Sequence, residues 1–263
     1  MGKFLEYANG QKRTEFDALE VSFLRLYMGE CLASLNPGGA HARMRAIRAL
    51  CSFAVQEELI PVSPFHRLKM PRVPEVDLDV ISSDDFRALL AAAAMAEKPM
   101  RDQAILSILF DSGLRASELC AVRLEDILRA EGGIVVKKGK GGKQRFVPVS
   151  KITMKKIQRY QGQERPRTGL EKLFVTDAQT GLGYDSLRAM LERHCASAGI
   201  AEVRPHAFRR GFAVAYIRNG GDVFTLKRIL GHATLAMSEK YARMNAQDVK
   251  DAHLRASPVS RGE

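Results

Sequence analysis

The chain has 263 residues, 46% apolar and 27% charged, so it can build a substantial core and lacks the composition of a disordered chain. Its 41 Lys and Arg outnumber 30 Asp and Glu, a net charge of +11 that points to a polyanionic partner, the nucleic-acid backbone being the usual intracellular one. Solubility charge, or binding to a protein or membrane surface, are the other readings of that excess. Cys31, Cys51, Cys120 and Cys195 form no CxxC pair, which argues against a zinc knuckle or a disulfide scaffold and suits a reducing cytosol. The longest wholly apolar run, Ala88 to Ala96, is too short to span a bilayer, and the first residues, MGKFLEYANGQKR, contain no apolar signal core. A cytoplasmic protein with no membrane partner is expected.

In chain order, Phe16, Leu19, Phe23 and Tyr27 recur at helical spacing and make one apolar face. Asn36-Pro37-Gly38-Gly39 breaks the chain, and Met44, Ile47, Cys51 and Ala54 mark the next helix. The opposite face of that helix carries His41, Arg45, Arg48 and Ser52, either a solvated stripe or one that lies against phosphates. Residues 61–77 hold Pro61, Pro64, Pro71 and Pro74 and read as an interdomain linker, because proline lacks the helix donor and restrains its predecessor. Beyond it, Ser82-Ser83-Asp84-Asp85 has the hydroxyls and acids of a helix start, with the helix running to about Ala96. A second helix spans Gln103 to Asp111 and stops near Gly113. Ile134–Val136 and Arg145–Val149 read as a β-hairpin, with Leu173–Val175 as a third short strand. From Asp185 to His253 the pattern is helical; Gly220-Gly221 ends one helix and Asp222 caps the next.

Four segments carry chemistry. In Gly113-Leu114-Arg115-Ala116-Ser117-Glu118-Leu119, an arginine sits at a corner just after a helix-ending glycine; the alternative is a structural Arg115–Glu118 ion pair. Residues 137–145, KKGKGGKQR, put glycines and cations at a hairpin tip able to approach phosphate, or simply make an exposed basic turn; the spacing is not that of a P-loop. In His206-Ala207-Phe208-Arg209-Arg210, the first His and Arg209 share a helical face, suited to a phosphoryl oxygen or to nothing more than a helix start with a surface His. Leu230-Gly231-His232 is followed nine residues later by Tyr241. Taken together these are cations, two imidazoles and a phenol, with no carboxylate pair to hold magnesium and no GxSxG elbow. Such a set suits attack by a tyrosine on a phosphodiester. Guanidiniums would bind the non-bridging oxygens, and a general acid would protonate the departing 5′ oxygen.

With these residues the chain resembles the tyrosine recombinase (phage integrase) family over residues 40–250. The match of GLRASEL, GKGGKQRFVPV, HAFRR, LGH and the following tyrosine implies catalytic roles for Arg115, Lys140, His206, Arg209, His232 and the nucleophile Tyr241. It implies a mainly α fold with a small β-sheet: a SAM-like helical core-binding domain over residues 1–70, a linker over 71–80, an α+β catalytic domain over 81–257 and a tail over 258–263. Arg45, Arg48, Lys138, Lys143, Arg145 and Arg210 are expected as further DNA contacts. The resemblance also implies a Xer-like site-specific recombinase on duplex DNA, working through a 3′-phosphotyrosine. It would be a monomer or weak oligomer when free and a homo-tetramer on paired sites, associated with the nucleoid and assisted by an accessory directionality factor. No cofactor, nucleotide or metal is expected. The first domain is short for the family and leaves no room for an arm-type domain. The rival readings are a DNA-binding protein with a relict pocket and a type IB topoisomerase.

Overall fold

The computed structural model describes residues 2–13, 19–73, 80–137 and 144–231. The chain forms two compact units, Met1–Asp77 and Leu78–Glu263.

The first unit is helical: α1 (Gly2–Gly10), α2 (Val21–Ser34) and α3 (Pro37–Gln56). Leu19, Phe23 and Tyr27 are buried as their spacing requires, although α2 begins only at Val21; Phe16 lies outside the described residues. The first helix has no counterpart in the sequence reading, since its nine residues are too few for a clear apolar period. Its Phe4 is buried and meets the Tyr27 ring edge-on at 5.0 Å between centroids. Asn36-Pro37-Gly38-Gly39 is the first turn of α3 as well as a break. The Asn36 side chain accepts a hydrogen bond from the Gly39 N–H at 2.8 Å, and Pro37 sits where no helical donor is needed. Met44, Ile47, Cys51 and Ala54 of α3 are buried, while Arg45, Arg48 and Ser52 are exposed on its other face. His41 departs from that stripe: its Nδ1 meets the Pro71 carbonyl at 2.9 Å, and since a carbonyl only accepts, Nδ1 carries the proton. Pro64, Leu68 and Pro71 are buried, so the first part of the proline-rich segment packs onto this unit.

The second unit opens with α4 (Ser83–Ala94), whose N-cap Ser82 accepts from the Asp85 N–H at 3.0 Å, and α5 (Pro99–Ser112). Ala104, Ile105, Leu106, Ile108 and Leu109 are wholly buried, so α5 is apolar nearly all round and forms the centre of the core. Its one buried acid, Asp102, is matched by Arg101 Nε at 2.8 Å and His194 Nε2 at 2.9 Å. After α6 (Ala116–Ala121) come β1 (Ile127–Leu128), β2 (Gly133–Val136) and β3 (Arg145–Pro148), an antiparallel sheet in that order with Ile134 opposite Val147 and Val136 opposite Arg145. The third strand is therefore Ile127–Leu128. Leu173, Phe174 and Val175 are buried, but Val175 makes only an isolated bridge to Gly181. An apolar β-rich triplet satisfies the same burial in a loop.

Helix α7 (Lys151–Arg159) is also unanticipated, although Ser150 caps it from the Thr153 N–H and Met154, Ile157 and Tyr160 form its buried face. The unit continues with α8 (Tyr184–Ala198), α9 (Pro205–Arg218) and α10 (Val223–Leu230), the last capped by Asp222 accepting from the Thr225 N–H at 2.8 Å. The expected helical continuation to His253 lies outside the described residues. Among the described residues, no helix is long and apolar enough to cross a membrane. The protein is mainly α with one small sheet.

Candidate active site

The C-terminus of α5 sets the site. Gly113 caps it in the left-handed region at φ +60°, and a Cβ there would lie 2.5 Å from the Phe212 ring and 2.8 Å from Leu230. Only glycine offers both that backbone and that space, which is why the chain turns here with α9 and α10 pressed against it. Two residues on, Arg115 is the N-cap of α6. Its backbone N–H donates to Glu118 Oε2 at 2.9 Å, and its Nη1 to Glu118 Oε1 at 2.9 Å. The structural ion pair is thus real, yet it engages one of five guanidinium N–H groups, and the Arg115 side chain stays 32% exposed.

Glu118 holds a second cation. Arg145 on β3 donates Nη1 to Oε1 and Nη2 to Oε2, each at 2.8 Å, and its Nε donates to the Ile229 carbonyl at 2.8 Å. Burial would push the Glu118 carboxyl up; the hydrogen bonds from Arg145 and from the Arg115 backbone, with the charges of both arginines, outweigh it and hold the group at about 2. Arg145, expected as a DNA contact, has a side chain 13% exposed, and its fork is turned to a carboxylate of the protein. A sequence shows that an arginine follows a lysine-rich tip; it does not show that an acid 27 residues earlier lies under it.

Arg209 is the third guanidinium, 5% exposed on α9. Nη1 donates to the Gly113 carbonyl at 2.8 Å and Nη2 to the Leu230 carbonyl at 2.7 Å. Those bonds fix its position on neutral groups and tie together the glycine before Arg115 and the leucine before His232. His206 is exposed on the first turn of the same helix, and Arg210 is half-buried. Thus the Arg115, Arg145 and Arg209 segments meet at the C-terminal ends of α5 and α10. Lys138, Lys140, Lys143, His232 and Tyr241 lie outside the described residues, and Arg45 and Arg48 belong to the other unit.

The functional groups that sequence reasoning undervalued are Glu118, taken only as a partner for Arg115, and the carbonyls of Gly113, Ile229 and Leu230. A glutamate at the third position of a helix is a sequence signal for accepting its cap's N–H; the carbonyls had none. Two guanidiniums share the Glu118 carboxylate and a third is tied to carbonyls beside it, a set that favours an anion with several acceptor oxygens. Among the described residues there is no trio of His, Cys, Asp or Glu placed to hold a metal ion.

The chain is 28% identical to the tyrosine recombinase XerC of Myxococcus xanthus over 244 residues, covering 89% of this chain and 81% of the relative. The crystal structure of XerA recombinase superposes with a TM-score of 0.61 at 26% identity, over 98% of each chain. The Tn1549 transposon integrase, solved in complex with transposon right end DNA, has a TM-score of 0.78 at 16% identity over 97% of this chain and 91% of its own, a likeness of fold. The arginine corner, the basic hairpin and the helix bearing His206 and Arg209 all fall within residues 79–248, which match the family model described as the phage integrase family; with more than half of its length so matched, the chain belongs to that family, the tyrosine recombinases.

Proposed function

We propose that the chain is a site-specific DNA recombinase that cuts and rejoins duplex DNA through a covalent 3′-phosphotyrosine. The observation that carries this reading is the tether of buried Arg209 to the Gly113 and Leu230 carbonyls. It joins, within two residues each, the segments that hold Arg115 and His232, as a shared phosphate site requires. In the reaction, Tyr241 Oη attacks the phosphorus and gives its proton to solvent, and the P–O5′ bond breaks. Lys140 protonates the departing 5′ oxygen. Arg115 and Arg209 bind the non-bridging oxygens and stabilise their growing charge, with His206 and His232 completing the contacts. The phosphotyrosine conserves the bond energy, so attack by a new 5′ hydroxyl restores the backbone and returns the proton. The recombinase names of XerC and XerA, and the DNA held by the Tn1549 integrase, support this substrate.

In this reading residues 1–70 bind the core site, 71–80 link and 81–257 catalyse. Arg45, Arg48, Lys138, Lys143 and Arg210 add phosphate contacts. Four protomers act on two sites at the nucleoid, with an accessory protein setting direction. The test uses a nicked duplex built on the sequence that the protein enriches from a randomised pool. The wild-type chain gives an adduct on a denaturing gel, mapped by mass spectrometry to Tyr241, and Tyr241→Phe gives none at unchanged DNA affinity. Binding without any adduct favours the relict-pocket reading, relaxation of supercoils without a defined site favours a topoisomerase, and an adduct on another residue refutes the assignment.

A further inference from the structure

The reaction assigns no role to Arg145, yet its guanidinium is among the most completely bonded groups in the second unit. Both nitrogens of its fork meet both oxygens of Glu118, and its Nε meets the Ile229 carbonyl, all at 2.8 Å. The geometry points to Arg145 as a positioning residue: one guanidinium on β3 orients Arg115 through Glu118 and, through Ile229, sets the end of α10 from which the His232–Tyr241 segment departs. This inference rests on the recombinase reading for what is being positioned.

Three observations support it. First, Glu118 is the only group seen to hold the Arg115 side chain among the described residues, by one bond to Nη1 and one to the backbone N–H. Arg145 adds a fork bond to each of the two oxygens that Arg115 itself uses, so the plane of the carboxylate is fixed from β3 as well as by the residue it positions. Second, both side chains are largely removed from water, 13% and 11% exposed, so the pair is neither screened nor exchanged for water as a surface pair is. Third, the backbone at the end of α10 is shaped around the arginine. Gly231 lies at φ +64°, and a Cβ there would come 3.2 Å from Arg145 Cδ and Nε. The contacts span 27 and 84 residues of sequence, so this side chain closes β3 onto α6 and α10 together. A lysine could not do the same: its single ammonium has no planar fork to match both carboxylate oxygens while a separate N–H reaches a carbonyl.

The test compares wild type with Arg145→Met, Arg145→Lys and the double variant Arg145→Met/Glu118→Gln, using the nicked duplex above. Three quantities are read: amide hydrogen exchange of peptides covering residues 113–119 and 226–231, the dissociation constant for the duplex, and the single-turnover rate of adduct formation. In Arg145→Met, exchange in both peptides rises about tenfold with the first unit unaffected. Affinity stays within about twofold, and the adduct rate falls by about 10²-fold, the scale of a small misplacement of a reacting group. Arg145→Lys does not restore the rate. The double variant, which removes a carboxylate left with Arg115 as its partner, recovers neither melting temperature nor rate. Unchanged exchange overturns the inference, as does a rate that recovers with melting temperature. A several-fold loss of affinity with a salt slope shallower by about one would make Arg145 a phosphate contact instead. If the wild-type chain forms no adduct, the recombinase reading fails, and the exchange data alone decide whether Arg145 fixes the Arg115 corner.

Discussion

Replacing Glu118 by Gln keeps the side-chain shape and one acceptor oxygen but removes the negative charge shared by Arg115 and Arg145. The carboxyl lies at about 2 in the folded protein against an ordinary 4.5, a difference equivalent to about 3 kcal/mol of folding stability at neutral pH. Because the pKa is lowered on folding, that stability is fully present above pH 4.5 and is lost as the pH falls from there to about 2. With Glu118 11% exposed and both its oxygens bonded, screening by solvent removes little of it. The expected result is that Glu118→Gln destabilises the second unit by about 3 kcal/mol at pH 7, and that the deficit shrinks to about 1 kcal/mol near pH 3 as the wild-type carboxylate titrates. Unfolding in urea can be followed at single sites by peroxide oxidation of methionines: Met190 and Met154 are buried in the second unit and Met44 in the first. The midpoint for Met190 should move with pH in the wild type more than in the variant, while that for Met44 does not distinguish them. A deficit independent of pH between 7 and 2.5, or below about 1 kcal/mol at pH 7, would refute the electrostatic account of the corner.

Gly113→Ala places a Cβ at φ +60°, 2.5 Å from the Phe212 ring, and should destabilise by about 2–4 kcal/mol, read as a lowered melting temperature and a raised rate of local exchange at residues 109–116. Arg209→Lys cannot reach the Gly113 and Leu230 carbonyls with two directed N–H groups; adduct formation should fall by about 10²-fold, and a near-normal rate would show that the guanidinium serves only packing. Adduct formation should survive EDTA, because the proposed set is cationic and phenolic with no acidic cluster; complete loss restored by magnesium would contradict the mechanism. With a net charge of +11, DNA affinity should fall with salt at a slope steeper than about −5 in log–log form, and a slope near zero would mean that the charge is not used on DNA.

What the sequence determined by itself is local. Apolar periodicity defines the buried faces of α2 and α3, because residues three and four apart on a helix share a side whatever the rest of the chain does. Caps declare themselves at Ser82 and Asp222, where a short polar side chain reaches its own backbone, whereas Asn36 reads as a break and only the structure shows it capping α3. The boxes around Arg115, Arg145 and His206–Arg209 are legible for the same reason: each is a contiguous stretch. The tertiary structure decided what distant stretches do to one another. The third strand is Ile127–Leu128 because it finds the edge of β2, an outcome that two residues cannot encode and that Leu173–Val175 matched equally well in composition. Arg145, expected at the DNA, has its fork filled from within the protein because Glu118 and the Ile229 carbonyl arrive from 27 and 84 residues away. An arginine's role follows from the acceptors that fill its fork, and backbone carbonyls, present at every position of the sequence alike, become specific acceptors only where the fold leaves them at the end of a helix.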